Sequence, residues 1–92
     1  MTLEDLEAVI RSRRDASPDE SYSARLLSDG VLTQRKIMEE AFEVCLELNK
    51  PTTAAERVAE EAADLLYHLL AGLIAVDVPF ADVLAVLEGR RS

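Results

Sequence analysis

The carboxylates of this chain gather in two places, Glu39, Glu40, Glu43 and Glu47 in one segment and Glu60, Glu61 and Asp64 in the next. Offsets of one, three and four residues, at about 100° per residue, put the first set on one stripe of a helix together with Lys36. The second set forms a like stripe with Arg57 and His68. Glu39 with Glu43, Glu43 with Glu47, and Glu60 with Asp64 are like charges four residues apart, each mildly destabilising in a lone helix. Solvated faces alternate their signs instead. A hard divalent cation relieves the repulsion, and Mg²⁺ takes oxygen ligands of this kind together with the phosphates of a substrate. The chemistry that suits such a pattern is a metal site that also takes up phosphate oxygens. The plainer alternative is that both stripes face water and the chain is a non-catalytic helical dimerisation module.

Other chemistries find little support. A di-iron helix needs a Glu three residues before its His, and Leu65 occupies that place before His68. Zinc needs imidazole or thiolate partners, and the chain holds 1 His and 1 Cys. His68 therefore reads as a lining or hydrogen-bonding residue. Cys45, among Val44, Leu46 and Leu48, reads as a buried core thiol. With 18 acidic residues against 10 basic ones and a formal charge of -8, no nucleic-acid partner is expected. A polyphosphate remains compatible when a cation bridges it to carboxylates. The acidic start, Glu4, Asp5 and Glu7, carries no secretory signature, and the apolar run Leu65 to Val76 is too short to span a bilayer. No membrane is expected, and the location is expected to be cytoplasmic.

The elements that must position these groups are helical. Hydrophobic residues make up 49% of the 92-residue chain and aromatic ones only 4%, a composition of Leu, Val, Ile and Ala suited to packed helices in one small domain, 1–92. A first helix starts at Thr2, boxed with Asp5, and fades near Arg14. Asp15 to Glu20 forms a loop. Ser21 to Ser28 is a short helical piece stopped by Asp29 and Gly30. A long helix runs from Leu32 to Leu48 until Asn49, Lys50 and Pro51 break it. Thr53 and Glu56 make a second capping box for a helix from Ala54 to Val76, in which Gly72 is a weak point. Phe80 to Glu88 closes the chain, with Val83, Leu84 and Leu87 packing back before Gly89 and a loose tail from Arg90 to Ser92. The two long helices should pair as an antiparallel hairpin that brings the stripes together, with Met38, Phe42 and Leu46 on a wide apolar side that demands cover.

Glu40-x-x-Glu43, the stretch Val44 to Glu60, and Glu61-x-x-Asp64 resemble the signature of the all-α NTP pyrophosphohydrolases, the MazG-like superfamily. Within it, Ser21-Tyr22-Ser23-Ala24-Arg25-Leu26-Leu27, Gly30, Lys36 to Glu43 and Glu60 to Leu70 are similar to the phosphoribosyl-ATP pyrophosphatase family. Met38 departs from that pattern, which has a small residue there. The resemblance implies a helical bundle completed by homodimerisation, Mg²⁺ dependence, and hydrolysis of phosphoribosyl-ATP to phosphoribosyl-AMP and pyrophosphate in histidine biosynthesis. It implies Glu40, Glu43, Glu61 and Asp64 as metal ligands, and Glu39 and Glu60, beside Glu40, as groups that orient or activate water. The neighbouring reading is a house-cleaning pyrophosphatase for dUTP or dCTP.

Four further side chains are candidates for substrate contact. Lys36 can meet phosphate as a point charge or pair with Glu40 within its own helix. Arg25 and Arg57 can do the same or remain solvated ion partners. Tyr22 can stack on a base or cap the hairpin as a packed aromatic.

Overall fold

The computed structural model describes residues 1–90, so the part of the expected tail after Arg90 lies outside the described residues. Five helices follow in order: α1 Leu3–Arg11, α2 Tyr22–Ser28, α3 Gly30–Leu48, α4 Ala55–Ala75 and α5 Phe80–Gly89. No strand occurs among the described residues, and no single helix among them is long and apolar enough to cross a membrane.

α3 and α4 form the central pair. A Cβ placed on Gly72 would lie 3.3 Å from Ile37 and 3.4 Å from Thr33, while Glu61, earlier in α4, lies beside Glu40 and Glu43, later in α3. The helices therefore run antiparallel, as the sequence predicts. Gly72 is a point of close approach rather than merely a tolerated weakness. Ile10, Leu26, Leu70, Ala71 and Ile74 make the buried core, ringed by Leu3, Leu6, Leu27, Leu32, Tyr67 and Phe80. Burying an aliphatic side chain of this size contributes about 1.5–3 kcal/mol. Thr33, itself buried, donates from Oγ1 to the carbonyls of Leu26 and Asp29, tying α2 to α3. Arg14 donates to the Ile74 carbonyl at 2.6 Å and pairs with Asp77 at 3.2 Å, placing a cation at the C-terminus of α4.

Several boundaries differ from expectation, each for a local reason. Thr2 and Asp5 do form the capping box of α1. Gly30, expected as a stop, is the first residue of α3, because Asp29 accepts from the Leu32 N–H and caps the helix in the same step that ends α2. Thr53 does not cap α4; the N-cap is Ala54, which offers no side-chain acceptor. Gly89 falls inside α5.

Burial brings larger corrections. Cys45 is exposed, on the side of α3 turned away from α4, where Met38 and Phe42 are each 64% exposed and Leu46 50%. The acidic stripe instead turns inward at Glu40 and Glu47, each 7% exposed. Within one chain α4 covers the acids of α3, not its apolar flank. Leu84 and Leu87 likewise remain exposed rather than packing back.

Candidate active site

The hairpin positions the carboxylates because α3 is long enough to carry Glu40 and Glu43 past its apolar contact with Gly72 to the level of Glu61. One oxygen from each of Glu40, Glu43 and Glu61 lies within 4.8 Å of the others. Oε2 of Glu40 and Oε2 of Glu61 are buried with no hydrogen-bond partner among the described residues. An orphaned buried acceptor costs about 1–3 kcal/mol, more when charged. The arrangement is thus costly in itself, a cost that a bound cation would offset. An all-oxygen donor set of this kind fits a hard divalent ion such as Mg²⁺.

The electrostatics say the same. The Glu61 carboxyl is held above the ordinary carboxylate range, first by a hydrogen bond with Glu43, then by burial and by the charge of Glu43, with Arg57 opposing and Asp64 adding to the rise. Asp64 lies outside the 4.8 Å group; its charge still reaches Glu61, and its backbone carbonyl is bonded to His68.

The flanking candidates divide by partner. Lys36 bonds Glu39 at 3.4 Å, not the Glu40 that spacing alone offered, and this bond, followed by the charge of Glu39, raises the Lys36 pKa. Glu39 also meets Arg35 at 3.7 Å. Arg57 spans Glu60 and Glu61, each at 3.4 Å. Glu39 and Glu60 are thereby exposed and cation-paired beside the cluster, while Arg25 lies exposed on α2. Tyr22 is 43% exposed, with its hydroxyl 2.8 Å from His68 and its ring stacked on Tyr67. Its pKa is raised, first by burial and also by Tyr67 and Glu40, against Lys36.

Two features escaped the sequence reading. Glu47 was placed on the stripe without a role, yet it is buried, with Oε2 bonded to Lys50 at 2.7 Å and Oε1 lacking a partner among the described residues. The Tyr22–His68 bond joins residues 46 apart, and no local pattern announces a contact at that separation.

Comparison with known proteins identifies a family for the whole chain. A family model described as phosphoribosyl-ATP pyrophosphohydrolase matches residues 3–91. A phosphoribosyl-ATP pyrophosphatase of Cereibacter sphaeroides is 47% identical over 90 residues, covering 97% of this chain and 85% of the relative. One from Pyrobaculum arsenaticum is 49% identical over 90 residues, covering 97% and 94%. One from Agrobacterium fabrum is 44% identical over 92 residues, covering 97% and 82%.

Proposed function

This chain belongs to the phosphoribosyl-ATP pyrophosphohydrolase family, and from that premise we infer that it hydrolyses phosphoribosyl-ATP to phosphoribosyl-AMP and pyrophosphate, a step of histidine biosynthesis. The observation that carries the reading to particular residues is the convergence of Glu40, Glu43 and Glu61, with buried, unpartnered oxygens on Glu40 and Glu61. These three would hold Mg²⁺, with Asp64 adjoining through its charge on Glu61. Bound there, Mg²⁺ supplies charge neutralisation on the phosphate oxygens and lowers the cost of forming the nucleophile.

The chain's own groups do the rest. Water adds to a phosphorus of the triphosphate, the α-phosphoryl stays on the nucleotide, and pyrophosphate leaves. Glu39 and Glu60, exposed at the edge of the cluster, are placed to orient that water or, with Glu40, to accept its proton. Lys36 and Arg57, already drawn to the site by these carboxylates, can exchange them for phosphate oxygens at little cost, since exposed pairs are worth only ~0–1 kcal/mol. Arg25, three residues after Tyr22 on α2 and near enough for its charge to act on the Tyr22 hydroxyl, is a further phosphate candidate.

A homodimer belongs to the same proposal. Met38, Phe42, Leu46, Leu69 and Val76 are exposed, and Ile37, Met38, Leu69, Gly72, Leu73 and Val76 border an open groove of about 480 Å³. A contiguous apolar face on a soluble helix pair is an association surface, and a second copy supplies a matching one. Phe42→Glu should yield monomers in sedimentation; an unchanged dimer would put the interface elsewhere.

The deciding experiment is pyrophosphate release measured on phosphoribosyl-ATP, ATP, dUTP and dCTP, with and without a chelator. Release from phosphoribosyl-ATP alone, abolished by chelation, is expected. Preference for dUTP or dCTP would move the chain to the house-cleaning branch, and chelator-resistant turnover would remove the metal.

A further inference from the structure

His68 is the chain's only histidine, it is 6% exposed in α4, and its two ring nitrogens have chemically different neighbours. Nδ1 lies 2.7 Å from the Asp64 carbonyl oxygen. A carbonyl has no proton to give, so in the neutral ring Nδ1 carries the hydrogen. Nε2 is then a bare lone pair, and the Tyr22 hydroxyl, 2.8 Å away, must donate its single proton to it. Tyr67 braces the arrangement from the other side, edge-on to His68 with centroids 5.2 Å apart and stacked on Tyr22 at 6.2 Å. Its own hydroxyl is bonded to Ser23 of α2.

The consequence lies at the Tyr22 oxygen. With its proton committed, it has only lone pairs to offer, so it accepts from a hydroxyl or an amine and repels a phosphate oxygen. Among the described residues no donor is bonded to it, and the Lys36 ammonium is bonded to Glu39. The ring is 43% exposed, on the helix that packs against both helices of the carboxylate hairpin.

We propose that Tyr22, oriented by His68, is a specificity-determining acceptor for a hydroxyl or amino group on the non-reacting part of the nucleotide, and that His68 is its positioning residue. This rests on the nucleotide hydrolysis inferred above and adds to it a division of labour. Carboxylates and cations handle the phosphates, whereas an acceptor held in one tautomeric frame reads the rest of the substrate.

Tyr22→Phe keeps the ring and removes the oxygen. It should raise KM for phosphoribosyl-ATP about 2- to 12-fold, the range of one neutral hydrogen bond, with a much smaller change in kcat. Inhibition by inorganic pyrophosphate, which carries neither hydroxyl nor amine, should stay as in the wild type. His68→Leu should reproduce the KM change, the double variant should add nothing further, and His68→Gln, whose amide oxygen can take the tyrosine proton, should recover part of the loss. An unchanged KM in Tyr22→Phe, a parallel weakening of pyrophosphate inhibition, or additive losses in the double variant would overturn the proposal. ¹⁵N NMR of the single imidazole in its neutral form, without substrate, checks the frame independently. Protonated Nδ1 and bare Nε2, with Nε2 shifted by Tyr22→Phe, are expected. An Nε2–H ring sinks this proposal alone, whereas a chain inactive on every nucleotide sinks the functional reading beneath it.

Discussion

The two halves of α4 are built on opposite terms. Its C-terminal half supplies Leu70, Ala71 and Ile74 to the core with Ile10 and Leu26, meets α3 closely at Gly72, and ends under the Arg14 guanidinium. Its N-terminal half starts at Ala54 without a side-chain cap and turns Glu61 toward Glu40 and Glu43, leaving buried oxygens unpartnered. One half buries apolar surface; the other keeps a buried carboxylate oxygen without a hydrogen-bond partner among the described residues. A cost of that kind persists only where the rest of the structure supports it. The stable half of the helix is therefore what permits the costly half to exist.

The largest test is to remove the support. Ile74→Ala should destabilise the chain by about 2–5 kcal/mol, the range for deleting a buried aliphatic side chain, measured by urea unfolding at one protein concentration. That is a large share of the ~5–15 kcal/mol available to a domain. A cost under about 1 kcal/mol would mean that the two halves do not differ as described.

The converse substitution acts on the costly half. Glu40→Gln should cut Mg²⁺-dependent turnover by at least about 100-fold, the upper end of what losing even an outer partner of a metal site costs. Stability should hold or rise, because the amide removes a buried charge that lacks a partner. A variant that loses turnover and stability together would assign Glu40 to the scaffold.

How much of this contrast could be read beforehand depends on what sets each feature. The helices were legible because apolar spacing, Pro51 and the Thr2 box act locally, and the meeting of the two acidic stripes followed from a hairpin with a short connection. Which side of α3 faces α4 was not. Its apolar residues cover more than half the circumference, so the wheel alone sends Met38 and Cys45 inward; in the structure both are exposed and Glu40 is buried. An apolar face left exposed and one buried in a core have the same composition. The Thr53 box failed for a smaller reason: the chain enters α4 one residue later, with Ala54 in the capping place. The Tyr22–His68 bond depends on how α2 lies across α4, a tertiary fact that no helical period encodes.

A third test uses protons and cations as competitors. The Glu61 pKa lies above its ordinary 4.5, first through the hydrogen bond with Glu43, then through burial and the charge of Glu43. The folded chain thus binds a proton there more tightly than the unfolded chain. Its penalty is absent below the unfolded value, grows as pH rises from 4.5 through the raised value, and is complete above it. Added Mg²⁺ should therefore raise Tm more as pH climbs through that window. At a hundredfold excess over Kd a cation that binds only the folded state adds about 2.7 kcal/mol. A gain that is equal at about pH 4 and about pH 8 would show that the cation binds elsewhere.

The smallest effect concerns the uncapped start of α4. Ala54 has extended backbone angles, φ -100 and ψ 104, suited to an N-cap, but no oxygen to offer. Ala54→Ser should supply one and stabilise the chain by about 0.5–1 kcal/mol, toward the lower end of the range measured for such caps. Because the hydroxyl is neutral, it adds no charge beside Glu61, and Mg²⁺ affinity should be unchanged. The same substitution made with Asp would add a negative charge near the cluster and mix the two effects. Thermal unfolding of the Ser variant with and without Mg²⁺ separates them: a constant increment in both conditions shows that the missing cap is a gap in the scaffold, while an increment seen only without Mg²⁺ would make the loose helix start part of the cation site itself.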